Sequence, residues 1–399
     1  MVLKGSFPPD IRVKREATHL IKNGHNVTLV ATGPSDRPKR EVIDGIEVRR
    51  VRDPSSTLSY AMRELFGHLT LVYPGIYQMI ALVDQGQDID VLHAHDLPIL
   101  RTVALAGRKT DTPVIADLHE IYPKSLQAWR IAYSLTDKLR PSALFRPSIR
   151  YSLLERRLLP RIDGVVTVAE LAREYYINRY NLDPNRVEVV QNVIDLERFD
   201  SYPIKDLDIE GEFVISYIGN FTPERNLEPL IQSMDHITEE IPTVKLIMVG
   251  DSSGDYIELL KNKVERLDLS QNVIFTGWVD FEEVPSYFHA SDITGSAVGK
   301  SGIGSEIALP NKLFQSMAAS TPLIVNNTQS TADIISKTGC GVVVDPYTAE
   351  NIASTILSLY KNKSKHEEMG QLGRKAVENR YNIRKEIINL ENIYTKVIS

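Results

Sequence analysis

Four short stretches carry residue types that could act on a polar substrate. Asp117-Leu118-His119-Glu120 follows the apolar run Pro113–Ala116, which puts these side chains at the carboxyl end of a strand. A histidine placed there can exchange hydrogen bonds with a substrate hydroxyl, because its ordinary pKa lies near neutrality. His93-Ala94-His95-Asp96 ends a second apolar run. Alternate residues of a strand face the same way, so the two histidines could supply half of a metal site. The sequence defines no third ligand, and a polar substrate cleft without metal is the expectation. Gly219-Asn-Phe-Thr-Pro-Glu-Arg225 follows a further strand and brings a cation to a loop. Pro310-Asn311 opens a helix, whose unpaired N–H groups and positive dipole end suit a phosphate.

These residues need a scaffold that delivers them to one edge. Strand candidates in the first half are Met1–Leu3, Val27–Ala31, Val48–Val51, Val91–His95, Pro113–Asp117, Val165–Val168 and Val187–Val190. Helical patterns separate most of them, including Lys14–Asn23 and Tyr60–Val83. The polar stretch Leu196–Glu212 reads as a linker. The alternation then resumes with Phe213–Ile218, Lys245–Val249, Val273–Thr276, Ile293–Val298, Leu323–Val325 and Gly341–Val344. Such alternation predicts two doubly wound parallel sheets, with ligands at the carboxyl edges of the strands.

A length of 399 residues suits two domains, and the composition is that of an ordinary globular protein. A net charge of −6 argues against a general nucleic-acid binder. The single cysteine, Cys340, excludes an internal disulfide framework and a cysteine-rich zinc site, which fits a reducing, cytoplasmic setting. The first residues lack the apolar core of a secretory signal, and no apolar run is long enough to span a bilayer.

Taken together, the motifs resemble family 4 of the retaining glycosyltransferases, a glycogen synthase-like group. In the second half these are YIGNFTPERN (217–226), VIFTGWVDFEEVPSYFHASDI (273–293) and LPNKLFQSMAASTPLIV (309–325). In the first half they are FPPDIRVKREATHLIKNGHNVTLV (7–30), VLHAHD (91–96), TPVIADLHEIYP (112–123) and VEVVQNVIDLERF (187–199). The resemblance implies an α/β GT-B fold, two facing Rossmann-like domains with a cleft between them. Residues 1–196 would bind the acceptor and 197–380 the nucleotide-sugar donor, with a C-terminal helix of about 381–399 packing back on the first domain. It also implies transfer of a sugar, with retention, from a UDP- or GDP-linked donor, with no other cofactor and no metal.

By position, His119 matches the histidine that reaches the donor sugar, and Glu306, one residue before the position of the family's earlier glutamate, would take that catalytic role through a small shift of the preceding loop. Gly219, Asn220 and Arg225 match the diphosphate loop, Arg225 being the clamp. Asn311, Lys312 and Leu313 match the helix-start cradle of the distal phosphate. Gln315 falls where a ribose-holding glutamate is usual, and Trp278 and Val279 lie in the loop that would shape the base site. Asp10, Arg12, His95, Asp117 and Glu120 are assigned to the acceptor side. The chain departs from the family at Gln315, at Ile307 in place of the earlier glutamate, at Asn220 in place of a second arginine and at Val193 in place of glycine. Glutamine can still bond a ribose diol as donor and acceptor. The rival readings are a nucleotide-sugar epimerase of the same fold and a non-catalytic nucleotide-sugar-binding protein.

Residues 124–161 carry nine cations and two carboxylates, interleaved with Trp129, Phe145 and several leucines. That pattern suits an anionic membrane surface and a lipid-linked or cell-surface glycan acceptor, with the protein peripheral on the inner face of the membrane.

Overall fold

The computed structural model describes the backbone of residues 1–132, 148–252, 254–297 and 303–399. Two compact units emerge. Met1–Asn192 with Ile383–Ser399 forms the first, and the second is drawn from Val193–Asn382.

The first unit is an eight-stranded sheet in the order β3-β4-β2-β1-β5-β6-β7-β8. The strands are β1 (Val2–Ser6), β2 (Thr28–Gly33), β3 (Arg40–Ile43), β4 (Ile46–Arg52), β5 (Leu92–His95), β6 (Val114–Leu118), β7 (Gly164–Thr167) and β8 (Val187–Val189). All neighbours are parallel except β3 and β4. The second unit pairs β9 (Val214–Ile218), β10 (Lys245–Val249), β11 (Val273–Gly277), β12 (Ile293–Ser296), β13 (Leu323–Asn326) and β14 (Gly341–Val344). Its order, β11-β10-β9-β12-β13-β14, is fully parallel and is the Rossmann order. In each sheet the strand order reverses at one point, between β1 and β5 and between β9 and β12. The crevice outside the carboxyl ends of those strands is where such sheets take ligands.

The near-continuous apolar runs are buried on both faces, as parallel strands require. β9 and β6 are buried at every position. Three expectations need correcting. The short edge strand β3 was not anticipated, because it has only four residues, its charges Arg40 and Glu41 are adjacent, and no position is buried. A hairpin turn with positive φ at Asp44 and Gly45 pins it to β4. The stretch 196–212 is not wholly a linker. Asp195 accepts from the Arg198 N–H and starts the helix Leu196–Ser201, which buries Phe199. The helical region at 60–83 is two helices, Thr57–Thr70 and Pro74–Gly86, bent by 83°. Leu71 adopts a left-handed conformation between them and Pro74 starts the second.

In the first unit, Asp10 accepts from the N–H groups of Arg12 and Val13, so the helix Ile11–Lys22 begins at once after the loop that follows β1. Among the described residues no single helix is long and apolar enough to cross a membrane. The middle of the basic stretch, residues 133–147 with Phe145, lies outside the described residues, as does the Trp129 side chain.

Candidate functional site

The second unit builds its site at the end of β9. Gly219 leaves the strand at φ +139°, and Gly250, at the end of β10, lies so close that a Cβ there would meet the Gly219 carbonyl oxygen at 2.2 Å. Only glycine permits this approach of two backbones. A Cβ on Gly219 itself would sit 3.1 Å from the Lys312 ammonium. Lys312 belongs to the helix Asn311–Ala318, but its side chain turns inward and is only 8% exposed. Its Nζ lies 3.5 Å from the centre of the Tyr217 ring and has no hydrogen-bond partner among the described residues. Burial, then repulsion from Arg225, pushes its pKa well below the usual lysine value.

Arg225 ends the 3-10 turn Pro223–Arg225 and is half-buried. The edge therefore joins two cations to a strand end where no side chain can intrude. Tyr217 fixes the loop by donating its hydroxyl hydrogen to the Asn220 carbonyl at 3.0 Å. Of the helix start, Asn311 is exposed and Gln315, one turn on, is half-buried. Leu313 is wholly buried and its N–H already donates to the Pro310 carbonyl, so it offers the site less than the sequence suggested. One Glu306 oxygen accepts from the Gln329 N–H at 2.8 Å and so secures the start of the helix Gln329–Thr338. Trp278 stands 74% exposed beyond Gly277, beside the half-buried Val279.

The first unit brings a different set together. His93 and His95 on β5 face the same way as Asp117 on the adjacent β6, in register. One oxygen, Asp117 Oδ2, lies 2.9 Å from His95 Nδ1, 3.3 Å from His93 Nε2 and 2.9 Å from His119 Nε2. The His93 and His95 rings stack at 4.3 Å. Arg12 pairs with Asp10 at 3.0 Å and lies 3.7 Å from Asp96. Glu120 follows, half-buried, with its carboxyl pushed up by burial.

Charge in this cluster is set by competition. Burial alone would lower the His119 pKa, but the Asp117 carboxylate overrides it and lifts it to about 9. Burial would raise Asp117, but the His119 charge and three histidine contacts hold it well below the carboxylate range. His95 is pushed down to about 3 by burial and by His93. Near neutral pH the arrangement is therefore an imidazolium–carboxylate pair flanked by neutral histidines. Among the described residues the other His119 ring nitrogen has no partner, which leaves it able to donate.

Sequence reasoning missed three participants. Glu16 comes from the helix Ile11–Lys22, is 5% exposed, and has its pKa raised to about 8 by burial and by Asp117. A signal was available, since Glu16 falls within the apolar stripe Val13, Ala17, Leu20. Tyr394 bonds His93 Nδ1 at 2.6 Å, and Tyr217 underlies Lys312. Neither has a signature beyond an ordinary core aromatic. Donor atoms of Glu16, His93, His95 and Asp117 lie within 4.8 Å of one another, close enough to hold a metal ion. Without an ion the charges are balanced by protons, Asp117 being paired with His119 and Glu16 being a neutral acid.

Comparison with known proteins gives these two sites a common frame. Residues 11–198 match the model for Glycosyltransferase Family 4, and residues 202–376 match that for Glycosyl transferases group 1. An uncharacterized glycosyltransferase of Methanocaldococcus jannaschii is 25% identical, over 96% of this chain and 93% of its own. The alpha-monoglucosyldiacylglycerol synthase of Streptococcus pneumoniae is 24% identical over 85% of this chain and 72% of its own. The structure of Anabaena HepE in complex with UDP-glucose has the same fold, with a TM-score of 0.69 at 15% identity, covering 99% of this chain and 97% of that one. With one family model on each unit and two Rossmann-like sheets of the GT-B kind, the protein is a glycosyltransferase and belongs to the family 4-like group.

Proposed function

We propose that the second unit binds the diphosphate of a UDP- or GDP-linked sugar at the end of β9, and that the enzyme transfers the sugar to a glycan or lipid-linked acceptor with retention. The observation that carries this reading is the buried Lys312 amine, without a hydrogen-bond partner among the described residues and set beside Gly219 and Arg225. Burial and Arg225 disfavour the protonated form of this amine in the free protein, and a diphosphate beside it would supply the missing counter-charge and restore the ammonium. As the glycosidic bond to the diphosphate breaks, negative charge grows on the leaving group. Arg225, Lys312 and the Asn311 helix start then stabilise it in place of a metal. Gln315 serves the ribose.

The acceptor and the sugar are assigned to the first unit. His119, held charged by Asp117, donates a hydrogen bond to a sugar hydroxyl, while Asp10, Arg12, His95 and Glu120 shape the acceptor side. The lipid-linked acceptor is favoured by the basic stretch, of which Arg156, Arg157 and Arg161 are exposed, and by the name of the Streptococcus relative. Such an enzyme would work in the cytoplasm, peripheral on the inner membrane face.

Calorimetric titration with UDP and GDP, against the bare nucleosides, tests the donor site. Preference for one diphosphate over its nucleoside by at least about tenfold is expected, since each charge-assisted bond contributes about 1.5–3 kcal/mol. Equal affinity for both forms would overturn it. His119→Ala should keep that affinity and lose turnover.

A further inference from the structure

The helix Thr57–Thr70 is built inside out. Leu58, Ala61, Met62, Leu65, Phe66 and Leu69 recur at the spacing of one helical face, and all are exposed, the five large ones by 39–72%. The charged residues turn toward the protein. Arg63 pairs with Asp53 at 2.6 Å, and Glu64 accepts from Lys4 at 3.0 Å. Gly67 presses so closely on the Tyr73 ring that a Cβ there would lie 2.2 Å from it. The helix is thus fastened by its charged face and offers its apolar face to the outside. A contiguous exposed apolar stripe of this kind marks an interaction surface.

The rim of this face is basic. Arg150 of the helix Ser148–Leu158 donates to the His68 carbonyl at 2.9 Å, and Arg101 of the helix Leu97–Thr110 donates to that of Thr70. These two neighbouring helices expose Arg101, Arg108, Lys109, Arg156 and Arg157, together with Leu105, Ile149 and Leu153. Their one carboxylate, Glu155, is buried and carries a pKa raised to about 7 by that burial. Apolar side chains that can enter a hydrocarbon boundary, ringed by cations and free of exposed acid on the flanking helices, match an anionic lipid surface. The flanking helix Pro74–Gly86 buries Ile76, Ile80 and Val83 in the first unit. Burial of this second helix in the protein argues against the pair threading a bilayer.

We infer that Thr57–Thr70 is the membrane-inserting element of this glycosyltransferase, seated on anionic lipid through Leu58, Met62, Leu65, Phe66 and Leu69. The inference deepens the membrane-facing part of the function proposed above and is independent of the donor site.

The test uses the full chain. The only cysteine, Cys340, is buried, so Met62→Cys can be labelled with an environment-sensitive fluorophore. On phosphatidylcholine vesicles with about one third phosphatidylglycerol, the fluorescence should rise and shift to the blue. Spin-labelled lipid should then quench it. Met62→Ser/Phe66→Ser should fold normally, since both positions are exposed, and should weaken vesicle binding on the order of tenfold or more. Affinity for UDP or GDP should be unchanged in both variants. A probe that stays silent at saturating vesicles would overturn the inference. So would wild-type vesicle affinity in the double variant, or a dimer in lipid-free buffer that the double variant abolishes, since the face would then belong to a second copy of the chain. Loss of diphosphate binding in the wild type would instead refute the donor site and leave this inference standing.

Discussion

Replacing Lys312 by methionine should make the protein more stable and a worse binder of its donor at the same time. The lysine is 8% exposed, and among the described residues its amine has no hydrogen-bond partner and its one close attraction is the Tyr217 ring at 3.5 Å. An unsatisfied buried donor costs about 1–3 kcal/mol, more when charged. A buried cation–π contact returns up to about 2 kcal/mol. Methionine keeps the length of the stem and packs on the ring through sulfur, with no charge to desolvate. The net gain expected for the ligand-free protein is on the order of 1 kcal/mol, or a rise of about 2–4 °C in the melting temperature of a unit this size. The same change removes one charge-assisted contact to phosphate, about 1.5–3 kcal/mol, hence roughly a ten- to hundredfold loss in UDP or GDP affinity. Scanning calorimetry reads the first quantity and isothermal titration the second. Unchanged affinity would remove Lys312 from the phosphate site. A fall in melting temperature would mean that the amine is satisfied in the free protein.

Arg225→Ala should weaken binding of the nucleoside diphosphate and leave the bare nucleoside almost unaffected, and equal losses by titration calorimetry would exclude a diphosphate contact. Gly219→Ala should lower donor affinity through a Cβ directed at Lys312 and through strain at φ +139°, and wild-type affinity would show that the loop gives way freely. The first unit should lose stability with rising pH. Glu16 and His119 keep protons when folded that they release earlier when unfolded, so their contributions are complete below the unfolded pKa. They are lost between about 4.5 and 8 for Glu16 and between about 6.5 and 9 for His119. His95, with its pKa pushed down to about 3, acts in the opposite sense only below about 6.5. Melting temperatures should therefore fall from pH 6.5 to 9. Glu16→Gln should raise the value at pH 7.5, and a lowered one would mean that the carboxyl is ionised in the native state.

The parallel sheets were legible because fully buried strands are short, apolar and bounded by turn residues. β14 was placed to the residue, and β10 likewise. Edge strand β3 was not, because none of its four positions is buried and its apolar residues, Val42 and Ile43, are adjacent and do not alternate with its charges. At the site, Arg225 and His119 could be proposed from their place after strands, and the Asn311 helix from its Pro310-Asn311 start. The inward turn of Lys312 could not, since it depends on where that helix sits on the sheet, with the Tyr217 ring of β9 beneath the amine, which no local pattern encodes. The helix Thr57–Thr70 shows the limit of periodicity most directly. Its spacing defines an apolar face but does not state whether protein covers it, and the default assumption, that the apolar face turns to the core, is reversed here.

The helix Ile383–Ile398 has a bearing on how the protein is made. It is encoded after the whole second unit, yet its contacts belong to the first. Glu386 accepts from the Gln191 N–H at 2.7 Å, Asn389 donates to the Val189 carbonyl at 3.2 Å, and Tyr394 bonds His93 at 2.6 Å. On the ribosome the second unit can complete itself while the first still waits for this segment, against the usual order in which the earlier domain finishes first. A nascent first unit would meanwhile expose the flank of β7 and β8 that this helix later covers, and would hold His93 without its tyrosine. Chaperone dependence and sensitivity to C-terminal clipping should therefore concentrate in the half of the protein synthesised first.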